Sequence, residues 1–105
     1  MEYRIGIIGG AGFIGFSLAK YFSQRSEVKI LDIRKPRDRI DNVMFEICDI
    51  RSYKQVEKTL KDADLVIHTA IVQIPYINEN KRLGYEVNVL GTINVCRKYW
   101  GYYFG

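Results

Sequence analysis

Glycines and one aspartate are spaced as in a binding site for a phosphate-bearing ligand. The segment GGAGFIG occupies residues 9–15, and Asp32 follows twenty residues after Gly12. Two glycine registers fit, G-x-G-x-x-G at 10, 12 and 15 and G-x-x-G-x-x-G at 9, 12 and 15. In either, glycines make a tight turn, allow close approach of phosphates, and let the following helix pack on the strand. Because a helix N-terminus attracts anions, the segment predicts a pyrophosphate site.

Asp32 ends an apolar segment, VKILDI at 28–33, that is typical of a buried strand. There a carboxylate accepts hydrogen bonds from the ribose hydroxyls of an adenosine. The alternative is a surface aspartate that only closes the strand. Since the same carboxylate repels a 2′-phosphate, the pattern favours NAD over NADP. Arg34 and the other basic residues of 34–39 oppose that preference if they face the ribose. In the alternative interpretation, these residues belong to a solvated loop.

The elements that position these residues alternate along the chain. Apolar, β-branched segments predict strands at 3–8, 28–33, 42–47 and 64–70, and the periodicity predicts helices at about 12–24, 52–63 and 79–100. Ser52 is the expected N-cap of the second helix. In the third, one helical stripe comprises Leu83, Val87, Leu90 and Asn94, and an adjacent stripe comprises Val89, Ile93, Cys96 and Trp100. Alternating strands and helices predict an α/β fold with a doubly wound parallel sheet, forming one domain or its first part.

Composition narrows the classes of protein. The 105 residues are 48% hydrophobic and 27% charged with a net charge of +4, which is ordinary for a globular domain and too weak to indicate nucleic acid. Cys48 and Cys96 form neither a metal-binding pattern nor a disulfide framework, so no metal is expected. The uncharged run Ile5–Ala19 contains five glycines and is shorter than the ~20 residues of a membrane span. We therefore expect a cytoplasmic protein without a membrane partner.

Four segments together resemble one known family. GGAGFIG, CDI at 48–50, HTA at 68–70 and EVNVLGTINV at 86–95 are similar, in order and spacing, to the extended short-chain dehydrogenases/reductases. Within them, the resemblance is to the NAD-dependent epimerase/dehydratase group, which acts on nucleotide sugars. It implies that residues 1–105 are the N-terminal portion of a Rossmann-type NAD(P)-binding domain, with about four strands and flanking helices.

The resemblance also implies which residues contact the cofactor. The glycine register becomes that of 9, 12 and 15, Asp49 and Ile50 border the adenine, Ala70 lies near the pyrophosphate and nicotinamide ribose, and Asn88 lies beside the active site. The full expected set is Gly9, Gly12, Phe13, Ile14, Gly15, Asp32, Ile33, Arg34, Asp49, Ile50, Thr69, Ala70, Ile71 and Asn88. Simpler alternatives are that Asp49 only caps a turn and that Asn88 bonds within its own helix. His68, the only histidine, is expected to have a hydrogen-bonded structural role.

The family's catalytic Y-x-x-x-K pattern does not occur in these residues, since none of the eight tyrosines has lysine four positions on. The sequence therefore predicts the NAD-binding portion of a nucleotide-sugar epimerase or dehydratase, such as a UDP-sugar 4-epimerase. This portion is expected to be inactive alone, without the catalytic segment and the substrate domain.

Two alternatives remain from the residues, besides that enzyme. One is a non-catalytic dinucleotide-sensing module that acts through a partner. The other is a nucleic-acid-binding protein that uses the basic residues of 34–39 and the aromatic C-terminal residues. An uncovered fourth strand and the clustered terminal aromatics further predict association into a homo-oligomer, such as a dimer.

Overall fold

The computed structural model describes residues 3–70 and 79–104. The elements in chain order are β1 Arg4–Ile8, α1 Phe13–Phe22, β2 Glu27–Asp32, β3 Val43–Ile47, α2 Tyr53–Thr59, β4 Leu65–His68, α3 Lys81–Tyr85, a π-helical segment Glu86–Gly91, and α4 Thr92–Phe104. All four predicted strands are present, the first two helices are shorter than predicted, and residues 34–41 lie in a loop. Ser52 caps α2 as expected, accepting a hydrogen bond from the Gln55 N–H.

The four strands form one parallel sheet in the order β3-β2-β1-β4. The central strand β1 pairs with β2 from Arg4↔Glu27 to Ile8↔Leu31, and with β4 from Ile5↔Leu65 to Ile8↔His68. This arrangement brings the carboxyl ends of β1, β2 and β4 to one edge, where the glycine turn and Asp32 follow their strands. The doubly wound α/β fold predicted from the sequence is confirmed.

Helices cover both faces of the sheet. On one face, alternate strand residues such as Ile7 and Ile30 pack with Ala19 of α1. On the other, Ile8 and Leu31 pack with residues of α2 and α4. The alternation of side chains along a strand explains why β1 is apolar after Arg4, since both of its faces are buried, and why β2 contributes Val28 and Ile30 to one core and Leu31 to the other.

The edge strand β4 is shorter than predicted. The sequence predicts a strand over 64–70, whereas β4 covers Leu65–His68. Leu65 is 46% exposed, and the other three residues of β4 are half-buried. Among the described residues β4 therefore lacks the full cover on both faces that its apolar sequence suggests. No helix in the described ranges has the length and apolar character needed to cross a bilayer.

The last helical region is not one regular helix. A π-helical segment at Glu86–Gly91 separates α3 from α4. Because i→i+5 hydrogen bonds widen the turn, they change which later residues face the sheet. Neither of the two stripes of a regular helix is buried as a whole, since Leu90 is 42% exposed and Ile93 is 54% exposed, while Gly91 and Val95 are buried. Val87 packs against the core.

Candidate functional site

The turn between β1 and α1 depends on glycine for structural reasons at two positions that flank the turn. Gly9 has a φ of +82°, and a Cβ there would lie 2.7 Å from both the Ala70 nitrogen and the Thr69 Oγ1. A Cβ on Gly15 would overlap the Gly9 carbonyl oxygen. A Cβ on Gly10 would instead overlap the Ile30 side chain of the sheet, so Gly10 packs against β2. These glycines are required by the fold, whatever the site binds.

Gly12 is different from the other three glycines of the turn. It is the N-cap of α1, with ordinary extended backbone angles of φ −78° and ψ 172°. Within 4 Å, a Cβ at Gly12 would meet only the Gly9 carbonyl oxygen, at 3.3 Å. Local packing therefore leaves room for a small side chain here once the Gly9 carbonyl shifts by a few tenths of an ångström. The first turn of α1 also presents backbone N–H groups that have no partner within the helix, which suits an anion.

Asp32 lies beside this turn and is tied to it. Its Oδ2 accepts a hydrogen bond from the Ala11 N–H at 3.0 Å, and its Oδ1 accepts one from the Arg34 N–H at 3.2 Å. A carboxylate has about four acceptor sites, so two bonds leave capacity for further donors such as ribose hydroxyls. Asp32 is half-buried, so a ligand in the groove can reach it.

A groove of about 220 Å³ runs along the carboxyl ends of β1, β2 and β3. It brings together most of the residues that the sequence predicts for the cofactor site: Gly9, Gly12, Asp32, Ile33, Arg34, Asp49, Ile50 and Ala70. It also contains six residues that were not predicted for the site, namely Ile8, Leu31, Cys48, Arg51, Leu83 and Val87. The position, at the carboxyl edge of a parallel sheet, is where ligands of this architecture bind.

Other predicted site residues do not line the groove. Phe13 and Ile14 begin α1 and are 90% and 63% exposed. Gly15 is buried in the turn, and Thr69 uses its hydroxyl to bond the Ile8 carbonyl at 2.8 Å. Asn88 is half-buried in the π-helical segment, next to the groove-lining Val87. Ile71 lies outside the described residues.

Asp49 and Arg51 form a tight pair at the groove. Arg51 donates from Nε to Asp49 Oδ1 at 3.0 Å and from Nη2 to Oδ2 at 2.8 Å. These bonds hold the pKa of the Asp49 carboxyl below its ordinary value. Oδ1 also accepts from the Arg51 backbone N–H, and the Asp49 carbonyl accepts from the Ser52 N–H. Asp49 thus caps the turn before α2, which is the simpler alternative given above for this residue.

His68 has hydrogen bonds on both ring nitrogens. Its Nδ1 accepts from the Ala70 N–H at 3.3 Å, which leaves Nε2 to donate to the Thr92 Oγ1 at 3.0 Å. Burial lowers the pKa of the imidazole, so the neutral ring is favoured. The predicted structural role of His68, linking β4 to α4, is confirmed.

The unpredicted lining residues differ in how far the sequence indicates them. Ile8 and Leu31 belong to predicted strands, Leu83 and Val87 to one predicted helical stripe, and Cys48 to the CDI segment, so each had a local signal. Arg51 had none, although it follows the CDI segment directly and is bonded to Asp49. Among the described residues, no group of His, Cys, Asp and Glu side chains is arranged to hold a metal ion.

Fold and site together define the N-terminal part of a Rossmann-type domain of the short-chain dehydrogenase/reductase class. The chain belongs to the 3-beta hydroxysteroid dehydrogenase/isomerase family, whose sequence model matches residues 6–99. The resemblance inferred from the four motifs is therefore confirmed.

Particular relatives are similar over most of this chain. Short-chain dehydrogenase/reductase family 42E member 1 from Danio rerio is 37% identical over 94 residues, covering 87% of this chain and 24% of the relative. The decarboxylating sterol-4-alpha-carboxylate 3-dehydrogenase from Bos taurus is 37% identical over 93 residues, covering 88% and 25%. The crystal structure of UDP-glucose 4-epimerase from Thermus thermophilus in complex with NAD is 30% identical, with a TM-score of 0.83, covering 94% and 34%. The chain thus spans about a quarter to a third of these proteins.

Proposed function

We propose that this chain binds NAD in the groove, with the pyrophosphate at the N-terminus of α1 and the adenosine ribose at Asp32. The observation that carries the proposal is Gly12. The fold leaves space for a side chain at this position, yet the residue is glycine and lies in the groove beside a helix N-terminus. A ligand that approaches the backbone closely explains that choice.

The strand order supports one direction for the dinucleotide, from β1 across β2 towards β3. The glycine turn follows β1, Asp32 ends β2, and the segment Cys48–Arg51 follows β3, the next strand in the sheet. Phosphates at β1 and ribose at β2 therefore direct the base towards the β3 side. The Asp32 carboxylate disfavours a 2′-phosphate, which supports NAD over NADP. Arg34, exposed at the same groove, is the residue that opposes this preference.

For the whole protein, we infer an NAD-dependent epimerase or dehydrogenase in which this chain supplies the cofactor-binding part. NAD, when bound, accepts and returns a hydride at a carbon that bears a hydroxyl group. The motifs and the 30% identical UDP-glucose 4-epimerase support a nucleotide sugar as substrate. The 37% identical sterol-4-alpha-carboxylate 3-dehydrogenase and the hydroxysteroid dehydrogenase family model support a hydroxysterol as the second candidate. Assays of the complete open reading frame with UDP-glucose and with a 3-hydroxysterol, following NADH at 340 nm and sugar epimerisation by chromatography, distinguish the two.

The sensing module and the homo-oligomer stay predictions. In this chain the exposed Leu65 and the incomplete burial of the edge strand β4 support association with another polypeptide. Sedimentation of the chain with and without NAD tests both, because a sensing module changes its association when the dinucleotide binds. A cytoplasmic location is likewise part of this proposal.

Calorimetric titration of NAD and NADP into the chain, its Asp32→Ala variant and an Asp38→Ala control tests the cofactor assignment. Asp38 is exposed in the loop after β2 and does not line the groove. We expect Asp32→Ala to weaken NAD by roughly 10- to 150-fold, since hydrogen bonds to a charged group contribute about 1.5–3 kcal/mol. The affinity for NADP should fall less than the affinity for NAD, so the preference for NAD over NADP should become smaller. Unchanged NAD affinity would show that Asp32 does not contact the ribose, and no NAD binding by the unmodified chain would overturn the proposal.

A further inference from the structure

His68 ends β4 and connects the groove with α4 through its two ring nitrogens. Its Nε2 lies 3.0 Å from the Thr92 Oγ1, and its Nδ1 accepts from the Ala70 N–H at 3.3 Å. A neutral imidazole has one donor and one acceptor nitrogen. Since a backbone N–H can only donate, Nδ1 carries the lone pair and Nε2 carries the proton. The contact with Ala70 thus depends on the protonation state of the ring.

Ala70 lies at a sensitive position of the groove. It is one of the groove-lining residues, and a Cβ on Gly9 would come within 2.7 Å of its nitrogen. The residue before it is held from the other side, because the Thr69 N–H and hydroxyl both donate to the Ile8 carbonyl at 2.8 Å. A rotation of the Ala70 peptide therefore changes the groove directly beside the glycine turn.

We propose that His68 is a positioning residue for the dinucleotide, because its neutral ring holds the Ala70 peptide in the orientation that the ligand needs and a protonated ring releases it. The proposal deepens the function proposed above and rests on it, since the dinucleotide must occupy this groove. A protonated imidazole is a donor at both nitrogens, so Nδ1 and the Ala70 N–H become two donors that face each other. Nε2 still donates to Thr92, and the change acts on the groove side alone.

The surroundings of His68 make this change depend on the ring itself. Its neighbour on β1 is Ile8, and α4 contributes the hydroxyl of Thr92. Burial lowers the pKa of the imidazole, and within the described ranges no charged or titratable side chain of β1, the π-helical segment or α4 contributes to that shift. The neutral ring is therefore favoured at pH 7, and protonation begins below the ordinary pKa of about 6.5.

Protonation has two opposing effects on a dinucleotide. The positive ring attracts the phosphates, but this attraction acts through a solvated groove, where salt screens it. The conflict between the two donors acts at contact distance and moves a residue that lines the groove. The affinity for NAD should therefore fall as the ring takes up a proton.

Two variants of similar shape separate the two bonds of His68. In His68→Asn, the side-chain Oδ1 takes the place of Nδ1 and accepts from the Ala70 N–H, as in an Asx turn. In His68→Gln, the side-chain amide nitrogen takes the place of Nε2 and keeps only the bond to Thr92. Each variant loses one bond and neither side chain titrates, so each is the matched control of the other.

Calorimetric titration at pH 7.5 and pH 5 gives the NAD affinities. At pH 7.5 we expect His68→Asn to bind NAD about two- to tenfold more tightly than His68→Gln, which is the effect of one neutral hydrogen bond. Lowering the pH to 5 should weaken NAD at least about twofold more in the unmodified chain than in either variant. Equal NAD affinities of the two variants at pH 7.5 would assign His68 to the fold alone and overturn the proposal. So would an affinity that rises at pH 5 in the unmodified chain only.

The Ala70 amide provides a second readout that needs no ligand. In the ¹⁵N-labelled chain, its NMR resonance should follow the protonation of His68 between pH 7.5 and pH 5, and in His68→Asn it should not. An Ala70 resonance that does not respond in the unmodified chain would overturn the proposal, whatever the affinities. Failure of the unmodified chain to bind NAD at pH 7.5 would instead refute the proposed function, and the resonance would still test the link between His68 and Ala70.

Discussion

Replacing glycines of the turn one at a time separates the needs of the fold from the needs of the ligand. At Gly9, alanine must adopt a φ near +82° and place its Cβ 2.7 Å from the Ala70 nitrogen and the Thr69 Oγ1. The left-handed backbone costs about 1–2 kcal/mol, and overpacking adds about 1–3 kcal/mol. We therefore expect Gly9→Ala to lower the free energy of unfolding by roughly 2–5 kcal/mol.

Gly12→Ala should behave in the opposite way. Its backbone angles suit any residue, and the nearest atom to the new Cβ is 3.3 Å away. The lower entropy of the unfolded chain contributes about 0.4–1 kcal/mol, which offsets the small adjustment needed at Gly9. Stability should thus remain within about 1 kcal/mol of the unmodified chain. NAD affinity should fall at least about tenfold, because the methyl group occupies space that the phosphates need.

Urea unfolding followed by circular dichroism gives the stabilities, and calorimetric titration gives the NAD affinities. The two variants form a matched pair, since each adds one methyl group to the same turn. If Gly12→Ala bound NAD as well as the unmodified chain, the phosphate site would not lie at Gly12. If it were as destabilised as Gly9→Ala, packing would be sufficient to explain the glycine, and the observation behind the proposed function would be lost.

Two further predictions concern titration and reactivity. Burial lowers the pKa of His68 in the folded chain. Below the ordinary histidine pKa of about 6.5, the unfolded chain therefore binds a proton that the folded chain does not, and the free energy of unfolding should decrease as the pH falls from 7 to 5. Urea unfolding at both pH values should show a smaller change for His68→Gln, and an equal change would mean that His68 is not responsible. Cys96 is exposed, whereas Cys48 is 3% exposed and burial raises the pKa of its thiol, so a thiol reagent should label one cysteine in the native chain and none in Cys96→Ser. Rapid labelling of Cys48 in that variant would contradict the packing around it.

Local sequence signals were sufficient for most of the fold. The strand β2 places Val28 and Ile30 against one helix layer and Leu31 against the other, so it contributes apolar residues to both cores and is easily identified. The glycine turn is equally clear, because its spacing relates directly to the start of α1 and to Asp32. Predictions of this kind depend only on a few adjacent residues, so the sequence is sufficient to make them.

Other features depend on contacts that a local pattern does not contain. A regular period groups Leu90 with Leu83 and Val87, whereas the π-helical segment makes Gly91 and Val95 the buried positions. Arg51 is bonded to Asp49, two residues earlier, but its contact with Glu86 spans 35 positions of the chain (86 − 51) and has no local signal. Both features required the three-dimensional arrangement.

The close contact between Ile50 and Gly91 has a consequence for how this protein can change over evolution. A Cβ at position 91 would lie 2.5 Å from the Ile50 Cδ1, so a larger residue in the helix needs a smaller one in the segment after β3. Each change alone is harmful, one by overlap and the other by a cavity, whereas the two together compensate. Substitutions at positions 50 and 91 should therefore occur together among related sequences. Because Ile50 lines the groove, such paired changes would also alter its shape, and divergence of the distant helix would be coupled to the ligand site.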